Sequence, residues 1–144
     1  MNASRTPPET TTGPTAGTRA TILLVDDDEH FRGFVREVLD DAGYPLFEGE
    51  DGEEGSLLYH AHKPDLLLTN LLMPHKEGLS LIGEIRDADQ LLPIIAMTGH
   101  DGVFGERYQK AARALRADAV LHKPFSPTEL LDAVSSALAG DARG

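Results

Sequence analysis

Short apolar runs alternate with segments of helical periodicity along most of the chain. Four of the runs are continuous, at residues 22–25, 66–68, 94–97 and 119–121, and a weaker one lies at 45–49. Continuous runs of this length are typical of parallel strands buried on both faces, because such strands have no solvent-facing side. The pattern therefore predicts five strands.

Between these runs, apolar residues recur at the spacing of a helix. The clearest stripe, over 31–42, places them at i, i+3, i+4, i+7, i+8 and i+11, which is one face of a helix. Similar stripes predict helices over 104–115 and 130–138, and further helices are expected near 51–62 and 77–88. Strand and helix thus alternate five times, which predicts an α/β fold with a doubly wound, five-stranded parallel sheet and five helices on its two faces.

Two of the predicted helices have recognisable starts. Ser126 precedes Pro127 and is followed three residues later by Glu129, the pattern of a capping box with proline at the first helical position. Asp51 is the N-cap expected for the helix near 51–62.

The two ends of the chain differ from this alternating body. Fifteen of the first 20 residues are Thr, Pro, Gly, Ala or Ser, and such a segment buries too little surface to offset its ordering entropy. We therefore expect a disordered tail over 1–19, one folded domain over 20–140 and a frayed C-terminus over 141–144.

The chain is acidic: 13 Lys and Arg against 24 Asp and Glu give a net charge of −11. Direct binding to nucleic acid or to an anionic membrane needs a basic surface, so neither is an expected partner. The absence of cysteine excludes a disulfide framework, a cysteine zinc site and a thiol nucleophile. No apolar run approaches the ~20 residues of a membrane span, and no signal-peptide pattern is present, so a cytoplasmic protein is expected.

Polar residues follow four of the predicted strands. They are Asp26, Asp27, Asp28 and Glu29 after the first strand, Asn70 after the third, Thr98 after the fourth and Lys123 after the fifth. Because the carboxyl ends of the strands meet at one edge of such a sheet, these groups are expected to converge there. Carboxylate and carbonyl oxygens suit Mg²⁺, and a hydroxyl with an ammonium group suits a phosphoryl-like anion.

Each of these residues also has an ordinary structural interpretation. Acidic residues after the first strand favour the start of the next helix, Thr98 suits a strand, and Lys123 before Pro124 suits a turn. It is the occurrence of such groups at four strand ends that favours a functional site.

The same segments resemble the receiver domain of two-component response regulators, from about Ala20 to Leu138. The motifs that carry the resemblance are the 22–28 segment with its acidic pair, the 64–74 segment with Gly78, the 93–98 segment, and Lys123-Pro124-Phe125. The resemblance implies a flavodoxin-like receiver fold and a single-domain regulator.

The resemblance also implies roles for the strand-end residues. In the family, an aspartate at the end of the third strand takes a phosphoryl group, and here that phosphoacceptor position holds Asn70. Asp26, Asp27 and the Leu72 backbone carbonyl would hold Mg²⁺ together with residue 70. Thr98 and Lys123 would bind the phosphoryl oxygens. The implied partners are a sensor histidine kinase or phosphotransfer protein and a downstream protein.

Asn70 departs from the family at its central residue. An amide oxygen is a much weaker nucleophile than a carboxylate, so we expect no aspartyl phosphate. Loss of a unit charge about 4 Å from a cation costs roughly 1–4 kcal/mol, so Mg²⁺ binding is expected to be weakened. Three explanations stay open: a natural pseudo-receiver that signals by contact, an Asp→Asn replacement that locks a normally phosphorylated receiver, and either deamidation-dependent function or a sequence error.

A second departure concerns the conformational switch. Many receivers carry an aromatic residue three positions before the lysine, and here that position holds Val120, so an aromatic rotamer switch is not expected. The surface that the family often uses for contacts is formed by helix 4, strand 5 and helix 5. We expect the downstream partner, or a homodimer, at that surface.

Two other hypotheses were weighed. A Mg²⁺-dependent phosphotransfer enzyme of the aspartate-nucleophile class usually needs an Asp-x-Asp nucleophile motif plus a cap insertion, and this compact chain leaves no room for a cap, so no enzymatic activity is expected. A zinc site at His75, His100 and His122 lacks a recognised ligand spacing.

Overall fold

The fold consists of one parallel sheet between two helical layers. The computed structural model describes residues 19–73, 76–99 and 102–140, without the side chains of 102–105 and 108. The strands are β1 (Ile22–Val25), β2 (Leu46–Gly49), β3 (Leu66–Asn70), β4 (Ile94–Thr98) and β5 (Ala119–His122). The helices are α1 (Glu29–Asp41), α2 (Gly52–His62), α3 (Gly78–Ala88), α4 (Gly102–Ala114) and α5 (Pro127–Ala139).

The strands are ordered β2-β1-β3-β4-β5, and every neighbouring pair is parallel. This confirms the predicted doubly wound sheet. β3 and β4 extend past their apolar runs to Asn70 and Thr98, because the ladder continues: Asn70 pairs with Met97 and Thr98 with His122. The strand-end polar groups are therefore held by the sheet itself.

The core is divided by the sheet into two apolar clusters. On one face, Leu24 and Leu68 pack with Val35 of α1 and Leu130 of α5. On the other face, the cluster draws on α2, α3 and α4. Side chains of β1 and β3 alternate between the two clusters, and both strands are wholly buried, as their continuous apolar runs predict.

The helix starts confirm the predicted caps. Ser126 and Glu129 form the capping box of α5, and the Asp51 side chain accepts from the backbone N–H of Glu54 at the start of α2. Asp28 is the N-cap of α1 and accepts from the N–H groups of His30 and Phe31. For Asp28, then, the helix-capping interpretation is correct.

Glu84 of α3 joins two helices and a loop. Its carboxylate accepts hydrogen bonds from Lys76, which precedes α3, and from Ser56 of α2. These bonds, the one from Lys76 foremost, lower the pKa of Glu84 to about 2. The Gly52 N–H also donates to the Lys76 carbonyl (3.0 Å), so Lys76 is held against the start of α2.

Several expectations concern residues outside the described part of the chain. These are the tail up to residue 18, His75, His100 and residues 141–144. Arg19, the last residue assigned to the tail, donates a hydrogen bond to the Tyr44 hydroxyl (3.0 Å) and lies over its ring. Among the described residues, no helix has the length and apolarity to span a bilayer.

Candidate functional site

An open cleft of about 280 Å³ lies at the carboxyl edge of the sheet. Its lining consists of Asp27, Asp28, Asn70, Leu72, Thr98, Gly99 and Lys123. The sequence-predicted groups from four strand ends therefore converge. Of the remaining predicted groups, Asp26 is buried beside the cleft, whereas Glu29 is exposed in the first turn of α1.

Asp26 and Lys123 form a buried ion pair. Lys123 Nζ lies 2.7 Å from Asp26 Oδ2, and Asp26 has no exposed surface. The second oxygen, Oδ1, accepts from the Asp28 N–H at 3.0 Å. Lys123 also lies over the Phe31 ring, with Nζ 4.3 Å from the centroid. Both charges are thus already paired, as burial requires.

Asn70 lies at the end of β3 with its amide held by two oxygens. Its Nδ2 donates to the Leu72 carbonyl oxygen at 2.7 Å, and Asp27 Oδ1 lies 3.5 Å away. Both neighbours are acceptors only, so the NH₂ end of the amide must face them. The side chain is 8% exposed, and its orientation is therefore fixed from within the site.

The loop after β3 is shaped by close contact with α3. The Gly78 N–H donates to the Leu71 carbonyl at 2.9 Å, and the Leu71 N–H donates to the Met97 carbonyl at 3.0 Å. A Cβ at Gly78 would overlap the Asn70 carbonyl and come within 2.9 Å of Leu71 Cα. Glycine at this position lets α3 begin directly against the loop that presents the Leu72 carbonyl.

Arg32 is a supporting residue that sequence reasoning missed. Its Nη1 donates to the Asp26 backbone carbonyl at 2.7 Å, and its Nε lies 3.2 Å from Glu48 Oε1. Arg36 pairs with the same carboxylate oxygen at 2.8 Å. α1 is thereby tied to the ends of β1 and β2. Nothing in the residue spacing indicates this link, because it depends on how α1 lies across the sheet.

Two of the groups that would hold a divalent cation, Asp26 and the Leu72 carbonyl, already have hydrogen-bond donors, whereas Asp27 is exposed. Asp26 is paired with Lys123 and the Asp28 N–H, and the Leu72 carbonyl accepts from Asn70. As arranged, these groups do not fit a cation, since binding one would displace the amide from Leu72. Among the described residues there is also no group of three or more His, Cys, Asp or Glu side chains able to hold a metal.

Thr98 and Lys123 are joined through the backbone, because the Lys123 N–H donates to the Thr98 carbonyl at 2.8 Å. Their side chains line the same cleft, as an anion site requires. His122, at the end of β5, is exposed. The other two histidines of the zinc hypothesis, His75 and His100, lie outside the residues that the structure describes.

The sequence from residue 22 to residue 135 matches the response regulator receiver domain. The chain belongs to this receiver family. Members of the family are signalling domains of two-component systems rather than classical enzymes. Receiver domains typically bind Mg²⁺ at an acidic pocket and interact with histidine kinases or phosphotransfer proteins.

Among curated relatives, this receiver is 34% identical over 117 residues to the chemotaxis protein CheY of Halobacterium salinarum, covering 81% of this chain and 95% of that protein. It is 33% identical over 133 residues to the transcriptional regulatory protein PdtaR of Mycobacterium tuberculosis, covering 88% of this chain. The chain spans 62% of PdtaR and 25% of the regulator DctD of Pseudomonas aeruginosa, to which it is 34% identical over 81% of its own length.

Solved structures show the same flavodoxin-like receiver fold. The chemotaxis response regulator CheY4 of Vibrio cholerae superposes with a TM-score of 0.74 at 27% identity, covering 82% of this chain and 98% of that one. A LuxR-family response regulator from Aurantimonas sp. SI85-9A1 gives 0.76 at 30% identity, covering 84% and 86% of the two chains.

Proposed function

We propose that this receiver takes part in two-component signalling through protein–protein contact and does not form an aspartyl phosphate. The observation that carries the proposal is Asn70 at the end of β3, inside the cleft formed by Asp27, Thr98 and Lys123. An amide at that place lacks the nucleophilic oxygen that phosphoryl transfer to an acceptor side chain requires. Asp26, Asp27, Leu72 and Asn70 are proposed to bind Mg²⁺ only weakly.

The proposed partners are a sensor histidine kinase or phosphotransfer protein and a downstream protein, and the proposed location is the cytoplasm. The α4–β5–α5 surface is the proposed contact surface, including that of a homodimer. β5 is an edge strand of the sheet, and its Val120 and Leu121 are half-buried rather than buried. An edge strand leaves one side open to a partner.

The geometry also bears on the origin of Asn70. Spontaneous deamidation needs the following backbone nitrogen to attack the side-chain amide. That nitrogen, in Leu71, donates to the Met97 carbonyl at 3.0 Å. The contact supports a stable asparagine over deamidation-dependent function, and it does not bear on the natural pseudo-receiver, the locked replacement or a sequence error.

The test is a phosphorylation assay read by intact mass. The parent protein and its Asn70→Asp and Asn70→Ala variants are incubated with acetyl phosphate and Mg²⁺. We expect no phosphoryl adduct on the parent or on Asn70→Ala, and an adduct on Asn70→Asp. An adduct on the parent that is absent from Asn70→Ala would overturn the proposal.

The Asn70→Asp result separates the natural pseudo-receiver from the locked replacement. An adduct on this variant means that Thr98, Lys123 and the acidic pair retain the machinery for phosphoryl transfer, as a locked receiver would. A variant without an adduct means that the site has lost more than its acceptor, as a pseudo-receiver would.

A further inference from the structure

The Asn70 amide nitrogen lies within hydrogen-bond reach of two oxygens of the cleft. One is the Leu72 carbonyl oxygen, at 2.7 Å from Nδ2, and the other is Asp27 Oδ1, at 3.5 Å. These atoms belong to the same set that the receiver family offers to a cation. In this chain a neutral NH₂ group lies between them.

An amide at position 70 can donate hydrogen bonds to the Leu72 carbonyl and to Asp27, whereas an ionised carboxylate cannot. A carboxylate at position 70 would set an acceptor-only oxygen against the Leu72 carbonyl and a charge near Asp27, which raises a repulsion that a bound cation relieves. The two N–H groups of the amide instead point positive partial charge at both oxygens. The amide is thus the isosteric group that satisfies these oxygens from within the chain.

Asp26, the buried acidic residue beside the cleft, also has hydrogen-bond donors for both of its oxygens. Asp26 has no exposed surface, and its two oxygens accept from Lys123 Nζ at 2.7 Å and from the Asp28 N–H at 3.0 Å. A cation that reached this pocket would have to displace the Asn70 amide and compete with Lys123. Each displacement breaks an existing, partly buried hydrogen bond.

We propose that the Asn70 side-chain amide replaces the divalent cation in this receiver, so that the site is complete and its conformation is independent of Mg²⁺. The inference rests on the proposed function and adds the regulation of the same site. Because neither a metal nor an acceptor carboxylate is involved, the arrangement of Asn70 and Leu72 does not change with Mg²⁺ or with phosphorylation. A signal then enters through the binding of a partner, not through the chemistry of the cleft.

The first test compares thermal unfolding of the full chain in EDTA and in millimolar MgCl₂, with ionic strength matched by NaCl. For the parent, we expect the same midpoint in both. For Asn70→Asp, we expect a lower midpoint than the parent in EDTA and a rise on adding Mg²⁺. Asn70→Ala, which removes the amide without adding a charge, should be destabilised in EDTA and respond little to Mg²⁺.

The second test observes the amide itself in the parent protein, with Asn70→Asp as the reference. The Asn70 side-chain NH₂ signals, assigned by their loss in Asn70→Asp, should be protected from exchange and unmoved by Mg²⁺. Mg²⁺ affinity, from the titration of nearby backbone signals, should be at least about tenfold weaker in the parent than in Asn70→Asp, because charge loss and amide displacement act together.

A parent midpoint that rises with Mg²⁺ as much as that of Asn70→Asp would overturn the inference, as would Asn70 signals that shift as Mg²⁺ is added. Failure of this inference is distinguishable from failure of the proposed function. A parent that binds Mg²⁺ as tightly as Asn70→Asp without forming a phosphoryl adduct contradicts only the replacement of the cation. A parent that forms the adduct contradicts the proposed function.

Discussion

At the scale of single residues, a glycine determines how closely α3 approaches the loop after β3. A side chain at Gly78 would overlap the Asn70 carbonyl and crowd Leu71 Cα, both of which are backbone atoms that cannot rotate away. We expect Gly78→Ala to lower the free energy of unfolding by about 2–3 kcal/mol, the upper range for overpacking a tight contact. Urea denaturation followed by circular dichroism measures this change.

The same helix supplies a matched control. Gly83 of α3 has no atom within 4 Å of the place that its Cβ would take. Because glycine is a poor helix residue, Gly83→Ala should raise the free energy of unfolding by up to about 1 kcal/mol. Equal destabilisation by the two substitutions would mean that α3 tolerates no alanine at all, and the contact argument at Gly78 would fail.

Residue types at strand ends were predictable, but their pairing was not. The sequence places Asp26, Asn70 and Lys123 after three of the five apolar runs, and the topology rule for parallel sheets then brings them together. That Asn70 donates to the Leu72 carbonyl depends on the path of the backbone after β3, and no pattern of side chains encodes that path. The same holds for Arg32, whose partner is a carbonyl oxygen.

At the scale of elements, a buried arginine joins α3 to the segments around α4 and β5. Arg86 is 5% exposed and donates to the carbonyls of Leu92 (2.8 Å), Leu115 (3.1 Å) and Arg116 (2.7 Å). Asp118 Oδ2 lies 3.7 Å from its Nη2. With the Asp89 carbonyl at 3.3 Å, one guanidinium group thus satisfies four carbonyls, in the segments that follow α3 and α4.

We expect Arg86→Met to destabilise the protein by about 3 kcal/mol or more, because it leaves buried carbonyls without donors and a buried carboxylate without its charge partner. Chemical unfolding measures the loss. The control is Arg113→Met on the exposed side of α4, where surface substitutions change stability by about 0.5 kcal/mol or less. If Arg86→Met costs no more than the control, the network is not a stabilising link between α3 and β5.

Element order was predictable because each buried strand is a continuous apolar run and three of the five helices have an apolar stripe. The ends of the strands were less so. β3 and β4 include the polar Asn70 and Thr98, since ladder hydrogen bonds do not depend on side-chain polarity. The Arg86 network could not be predicted from the sequence either, because its acceptors are backbone groups of the segments that flank β4 and α4.

At the scale of the whole molecule, the net charge of −11 sets how stability responds to ions. Exposed pairs such as Arg36 with Glu48 contribute little, so screening them costs little. The surplus of acids repels itself in the compact state, and salt screens that repulsion with a Debye length of about 10 Å at 0.1 M.

The expected outcome is that the midpoint of thermal unfolding rises by a few degrees as NaCl increases from about 0.01 to 0.1 M. MgCl₂ at the same ionic strength should give the parent the same rise, because a divalent cation screens surface carboxylates without displacing the Asn70 amide. Scanning calorimetry at several protein concentrations measures the midpoint and reports any homodimer as a concentration dependence. A midpoint that falls with NaCl would mean that ion pairs outweigh repulsion, and the charge surplus would then not govern the stability of this fold.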